Sequence, residues 1–156
     1  MASRDNPKTI LLRGAPAGRE GKAGGTITPG MLLTVNSSGA IVAHATAGAA
    51  ANAWFARENE LVGKTIDGTY ASGDTVLYWS CKPGDQIYAL LETGANVAVG
   101  ALLQSNGLGA FEPAVAASQA GTEPFAVTFP GTPIVRALEA VNNSSGANAR
   151  IRVEVL

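Results

Sequence analysis

Glycine and proline interrupt this chain roughly every 8–12 residues, and that spacing sets the tightest limit on its fold. The apolar runs between them are short: Ile27–Val35, Ile41–His44, Asn52–Ala56, Thr75–Ser80, Gln86–Leu91, Ala101–Gln104, Ile134–Ala140 and Arg150–Leu156. A helix needs about 10–12 residues of sustained 3.6-residue period, and no Gly-free stretch of that length keeps one. Glu112–Gln119 has room for one short helical turn. The last run alternates, with Arg150, Arg152 and Glu154 on one side and Ile151, Val153 and Val155 on the other. That is the pattern of a half-buried strand. The expected class is all-β, a small β-barrel or β-sandwich.

The chain also repeats itself. Ile27-Thr-Pro-Gly-Met-Leu-Leu-Thr-Val-Asn-Ser-Ser-Gly-Ala-Ile-Val42 aligns without a gap on Val97-Ala-Val-Gly-Ala-Leu-Leu-Gln-Ser-Asn-Gly-Leu-Gly-Ala-Phe-Glu112, with six identities in sixteen positions. They are Gly30/Gly100, Leu32/Leu102, Leu33/Leu103, Asn36/Asn106, Gly39/Gly109 and Ala40/Ala110. Each copy reads as a turn, a strand, an Asn/Gly hairpin and a returning strand. Each is followed later by an Ala-x-Glu run, Ala56-Arg-Glu58 and Ala137-Leu-Glu139. A duplicated hairpin in a pseudo-symmetric barrel accounts for both features.

Between Gly68 and Leu91 lie two Gly-Asp turns, four of the nine aromatics and the only cysteine. On a strand, Val76, Tyr78 and Ser80 face one side, and Leu77, Trp79 and Cys81 the other. Both sides carry large apolar groups, so both need cover: the core on one side, a second layer or another subunit on the other. Val76, Tyr78, Trp79 and Tyr88 are therefore candidate subunit contacts. Only 6% of the chain is aromatic while Gly and Ala abound, so it packs backbones closely or borrows neighbours to complete its core.

Charge is uneven. Residues 1–25 carry five basic and two acidic side chains, a net +3, and the remaining 131 carry six basic and ten acidic, a net −4. Between Arg13 and Gly25 the only apolar side chain larger than Ala is Pro16, too little burial to offset ordering entropy. Residues 1–25 thus read as a flexible, extended N-terminal arm and 26–156 as the β-rich domain. Ile10-Leu11-Leu12 is the one apolar spot on the arm.

Chemistry is sparse. The lone histidine, His44, ends an Ala-rich strand and reads as a rim residue, with no sequence sign of a nucleophile or an orienting carboxylate. Cys81 reads as a small buried side chain despite Lys82 beside it. One Cys and one His cannot make a typical zinc site. Gly63-Lys64-Thr65 and Gly21-Lys22 lack the glycine five residues upstream that a phosphate loop needs, having Glu58 and Pro16 there. Asp67, Asp74 and Asp85 sit in Gly turns, where Asp bonds local amides. No catalytic residue, cofactor or metal is expected. A net charge of −1 gives no overall reason to expect nucleic acid or an anionic membrane as partner. No apolar run reaches the 18 or more residues of a spanning helix, the first residues lead into no signal-peptide core, and a single cysteine fits a reducing cytoplasm.

The run Glu58-Asn-Glu-Leu-Val-Gly-Lys-Thr-Ile-Asp67, then Tyr70-Ala-Ser-Gly-Asp74, then Pro83-Gly-Asp-Gln-Ile-Tyr-Ala-Leu90 resembles the head decoration, or capsid cement, proteins of tailed bacteriophages. Ile27-Thr-Pro-Gly-Met-Leu-Leu33, Gly39-Ala-Ile-Val-Ala-His44, Val99-Gly-Ala-Leu-Leu103 and Arg150-Ile-Arg-Val-Glu-Val155 extend the likeness over roughly residues 26–156. The resemblance implies a structural protein made in the host cytoplasm. It implies a place on the outer face of an assembled head, commonly as a homotrimer that clamps neighbouring subunits of the major capsid protein. On that reading the arm is expected to lie on the coat, with Ile10, Leu11 and Leu12 in an apolar groove or added to a sheet edge. Arg13, Arg19 and Lys22 would meet acidic coat residues. The alternative is a β-sandwich that binds carbohydrate or a host surface, which would need an aromatic platform. Trp54-Phe55 and Tyr78-Trp79 each split across a strand, so neither pair makes one alone.

Overall fold

Each of the eight expected runs holds a strand in the computed structural model, which describes residues 6–121, 126–128 and 130–156. In chain order the strands are β1 (Leu11–Arg13), β2 (Ala17–Lys22), β3 (Leu33–Val35), β4 (Ile41–Ala43), β5 (Trp54–Ala56), β6 (Thr75–Ser80), β7 (Gln86–Leu91), β8 (Asn96–Val97), β9 (Leu102–Ser105), β10 (Phe111–Pro113), β11 (Ser118–Ala120), β12 (Ala126–Thr128), β13 (Val135–Ala137), β14 (Val141–Asn142) and β15 (Ala149–Val155). The fold is all-β; the one helical element among the described residues is a 3-10 turn at Glu60–Val62. The helical turn expected over Glu112–Gln119 is absent. Phe111 is buried in the core, and the Gln104 side chain donates to Glu112 Oε1 (2.7 Å) and accepts from the Val115 amide (2.9 Å). Those bonds hold the segment extended up to β11.

The repeat seen in the sequence extends to the whole architecture. Strands β7, β10, β9, β13 and β15 form a sheet in that order, and β15 pairs back onto β7, closing a five-stranded barrel. In the first half, β2, β6 and β5 form a sheet. A Leu32–Phe55 bridge continues it to the β3–β4 hairpin, and a parallel Ala23–Ile41 bridge returns the ring to the end of β2. The second barrel closes through a parallel pairing too, Leu91 with Phe111. Smaller details match as well. The Gly30 amide donates to the Ala56 carbonyl and the Gly100 amide to the Ala137 carbonyl, both at 2.8 Å. Asn36 Oδ1 accepts the Ala40 amide (3.0 Å) and Asn106 Oδ1 the Ala110 amide (3.1 Å), so each Asn closes its hairpin with its own side chain. Gly39 and Gly109 follow with φ of 81° and 80°, a conformation only glycine enters at little cost.

Each barrel has its own core. Ala23, Ile27, Leu33, Ile41, Ala56, Val76 and Tyr78 fill the first, and their counterparts Leu91, Val97, Leu103, Phe111, Ala137, Ile151 and Val153 lie in the second. The second cluster also takes Leu32, Phe55 and Ile66 from the first half, with the Phe55 and Phe111 rings stacked 5.9 Å apart. The barrels are therefore packed together rather than tethered.

The boundary expected at residue 25 is not there. β1 pairs antiparallel with β7, and β2 pairs with β6 over six residues, from Ala17 opposite Ser80 to Lys22 opposite Thr75. Ala23 and Ile27 are core residues. Composition reflects only the burial that side chains can supply. A strand of Gly and small residues is ordered by ladder hydrogen bonds and by close backbone approach, as where Gly18 lies against the Trp79 ring. Residues 1–5 lie outside the described residues.

Candidate functional site

Of the residues expected to hold a coat protein, the aliphatic ones are used inside the molecule. Ile10 is fully buried in the second core; its amide donates to Glu58 Oε2 (3.2 Å) and its carbonyl accepts from Tyr88 (2.8 Å). Leu11 and Leu12 are half-buried against the same core. They are a strand completing the second barrel, not a docking spot. Arg13, Arg19 and Lys22 are exposed, and the Arg19 guanidinium stands 6.0 Å over the Trp54 ring.

The expected subunit contacts are also covered from within. Val76 and Tyr78 are buried in the first core. Trp79 packs on the second core with the Arg57 guanidinium 4.4 Å above its ring. Tyr88 is buried with Arg150 5.7 Å over its ring. The doubly apolar hairpin does need two covers; the second is the other barrel of the same chain, so these four residues are not a free subunit surface. As expected from alternation, the aromatic pairs split: Trp54 and Tyr78 go with the first core, Phe55 and Trp79 with the second.

His44 is not a rim residue. It is buried, and its Nδ1 lies 2.8 Å from Ser105 Oγ, which also accepts the Gly107 amide (3.1 Å). His44 follows β4 of the first barrel and Ser105 ends β9 of the second, so the pair ties the two together. Ser105 has no exposed surface, and a substrate could not reach a nucleophile there. Desolvation holds the imidazole pKa below its ordinary value, opposed by a backbone hydrogen bond with Ala50. The Cys81 thiol is pushed up to about 12 by burial and then by the Asp85 charge, so it is not a ready nucleophile. Asp74 accepts the Ala71 amide and Asp85 the Lys82 amide, each at 2.8 Å, as turn carboxylates do. Asp67 differs, standing 3.5 Å from Arg150 Nη2. Among the described residues no three His, Cys, Asp or Glu side chains gather at a metal-binding spacing.

What the first barrel does present is an ordered apolar tip. Leu61 is 83% and Val62 66% exposed, side by side on the 3-10 turn, whose end is formed by Gly63 at φ 72°. The long β5–β6 connection that carries them is pinned at both ends. Tyr70 Oη donates to the Arg57 carbonyl (2.7 Å), Lys64 Nζ to the Thr69 carbonyl (2.9 Å), and Arg57 pairs with Glu60 at 3.0 Å. Two adjacent large aliphatics are thus held outward on an ordered turn rather than on a loose loop. The signal was present in the sequence as Leu-Val between Glu60 and Gly63-Lys64, but no periodicity there says which way they point. Beside the tip, Gly18, Arg19, Glu20, Arg57, Leu61 and Leu77 line a shallow groove of about 410 Å³.

No family model matches this chain, and no curated protein matches it.

Proposed function

We propose that this chain is a head decoration protein of a tailed bacteriophage, binding the outer face of the assembled capsid as a homotrimer and clamping subunits of the major capsid protein. The observation that carries the reading is the exposed Leu61–Val62 tip, placed in the middle of the segment that resembles that family. A clip needs a rigid body and a wide footprint, and two packed barrels supply both without catalytic machinery. The tip enters an apolar depression of the coat, and Arg19, exposed on the groove beside Leu61, offers a cation for acidic coat residues. Each such contact is modest, and a trimer multiplies it by raising effective concentration.

The test is co-sedimentation with purified DNA-filled heads. Wild-type protein is expected to saturate at a fixed copy number and to raise the temperature at which the heads rupture. Leu61→Asp with Val62→Asp should weaken binding at least tenfold, about 1.4 kcal/mol per site. Both side chains are exposed, so circular dichroism should be unchanged. Wild-type protein that ignores heads but is retained on a glycan column would replace this reading with carbohydrate binding.

A further inference from the structure

The two barrels of one chain are not packed face to matching face. Leu32 of the first barrel is fully buried by the second, while its counterpart Leu102 is 44% exposed. Pro29 is buried and Val99, its counterpart, is 68% exposed; Phe55 is buried and Arg136, its counterpart, is exposed. On the other side of the contact the pattern reverses. Tyr88, Leu90 and Gly109 of the second barrel are buried, whereas Glu20, Lys22 and Gly39 at the same positions of the first barrel are exposed. The Leu32 amide donates to the Gly109 carbonyl (2.9 Å), and the Leu90 amide to the Gly30 carbonyl (3.3 Å), across this junction. A two-fold relation would bury both members of every pair. The junction is therefore heterologous, one face meeting a different face.

A heterologous junction leaves one unused copy of each face at the ends of the chain. We propose that a second copy of this chain fills them: the Val99–Leu102 face of one molecule docks on the Lys22 and Gly39 face of the next, repeating the internal junction. The free faces carry the chemistry for it. Val99 and Leu102 are apolar, and the remaining positions carry Arg136 on one face and Glu20 with Lys22 on the other, charges that keep the unpaired faces from aggregating. Continued around a closed operator, the contact makes a ring with two barrels per chain, six for a trimer; an operator that does not close makes filaments. The number three rests on the proposed function, but the contact itself does not. It is weaker than the internal junction, because Phe55, Tyr88 and Leu90 are replaced by charged residues.

The internal geometry supplies the test. A Cβ placed on Gly109 would lie 3.3 Å from the Cβ of Met31, near the separation a disulfide uses, and the counterparts of these residues are Gly39 and Ala101. Gly39→Cys and Ala101→Cys are made separately in a Cys81→Ser background and oxidised at several hundred micromolar without heads. A covalent dimer is expected only when the two are mixed. No mixed dimer, or Ala101→Cys dimerising with itself, overturns the proposal. Sedimentation gives a readout free of engineered cysteines: wild-type mass should rise with concentration, and Leu102→Asp, at the counterpart of the buried Leu32, should require about tenfold more protein for the same rise. A wild-type mass that stays monomeric at that concentration also overturns it. Head binding is scored separately, so its loss with the mixed dimer intact would sink the decoration reading alone.

Discussion

Single residues carry different burdens at matched positions of the two barrels, and this makes the repeat an internal control. Gly30 and Gly100 both have positive φ, 93° and 83°. A Cβ on Gly30 would lie 2.9 Å from the Tyr88 carbonyl oxygen and from Arg150 Nη1, whereas one on Gly100 meets nothing within 4 Å. Gly100→Ala should therefore cost only the left-handed backbone strain, roughly 1–2 kcal/mol. Gly30→Ala should cost that plus a displaced barrel junction, at least about 1 kcal/mol more. Urea unfolding of the two variants compares them directly. His44 gives a pH signature. Burial lowers its pKa, so the unfolded chain binds the proton more readily than the folded one. The stability this contributes is fully present above the ordinary pKa of 6.5 and is lost as pH falls below it. Melting temperature should drop between about pH 7 and pH 5 in the wild type, and less in His44→Gln, which keeps a hydrogen-bonding side chain but cannot titrate.

Among elements, β1 and β2 bear the most weight for the least hydrophobicity. β1 covers the outer edge of β7, and Ile10 just before it is wholly buried. Ile10→Ala should destabilise by roughly 2–5 kcal/mol, the range for a large aliphatic truncated in a packed core. Deleting residues 2–22 removes both strands and opens the first barrel between β6 and Ile41. Lost near-ultraviolet dichroism and a broadened urea transition should result. A truncated protein with the wild-type transition would mean that the N-terminal strands are an accessory after all.

At the scale of the whole molecule, the barrels should fold as one unit. Leu32, Phe55 and Ile66 belong to the first half of the chain but to the second core, and His44 bonds Ser105 across the junction. Phe55→Ala should cost about 3–5 kcal/mol and lower amide-exchange protection in both barrels together, not in the first alone. Protection lost only over residues 17–80 would show two independent domains. This rigidity also suits the proposed role, since a clip between coat subunits transmits force only as far as its own body resists it.

Much of the fold was legible because local rules act over a few residues. Gly and Pro spacing ruled out helices, alternation in Arg150–Val155 and Thr75–Ser80 assigned their faces, and the Asn/Gly identities marked two equivalent hairpins. Those signals depend on φ preferences and on a two-residue side-chain period, and both are written in the order of the residues. What could not be read is what a strand is ordered by when its own side chains are small. Ala17–Lys22 looks too poor in apolar groups to fold, and it is held by the β6 ladder, a partner more than fifty residues away. Ile10 looks like a sticky end until the β7 edge is beside it. His44 looks like a rim residue until Ser105 arrives from the other barrel. Local sequence determines which segments are extended and where they turn; whether an apolar residue lies inside or faces a partner is decided by non-local packing, because burial belongs to the surfaces that meet and not to the residue alone.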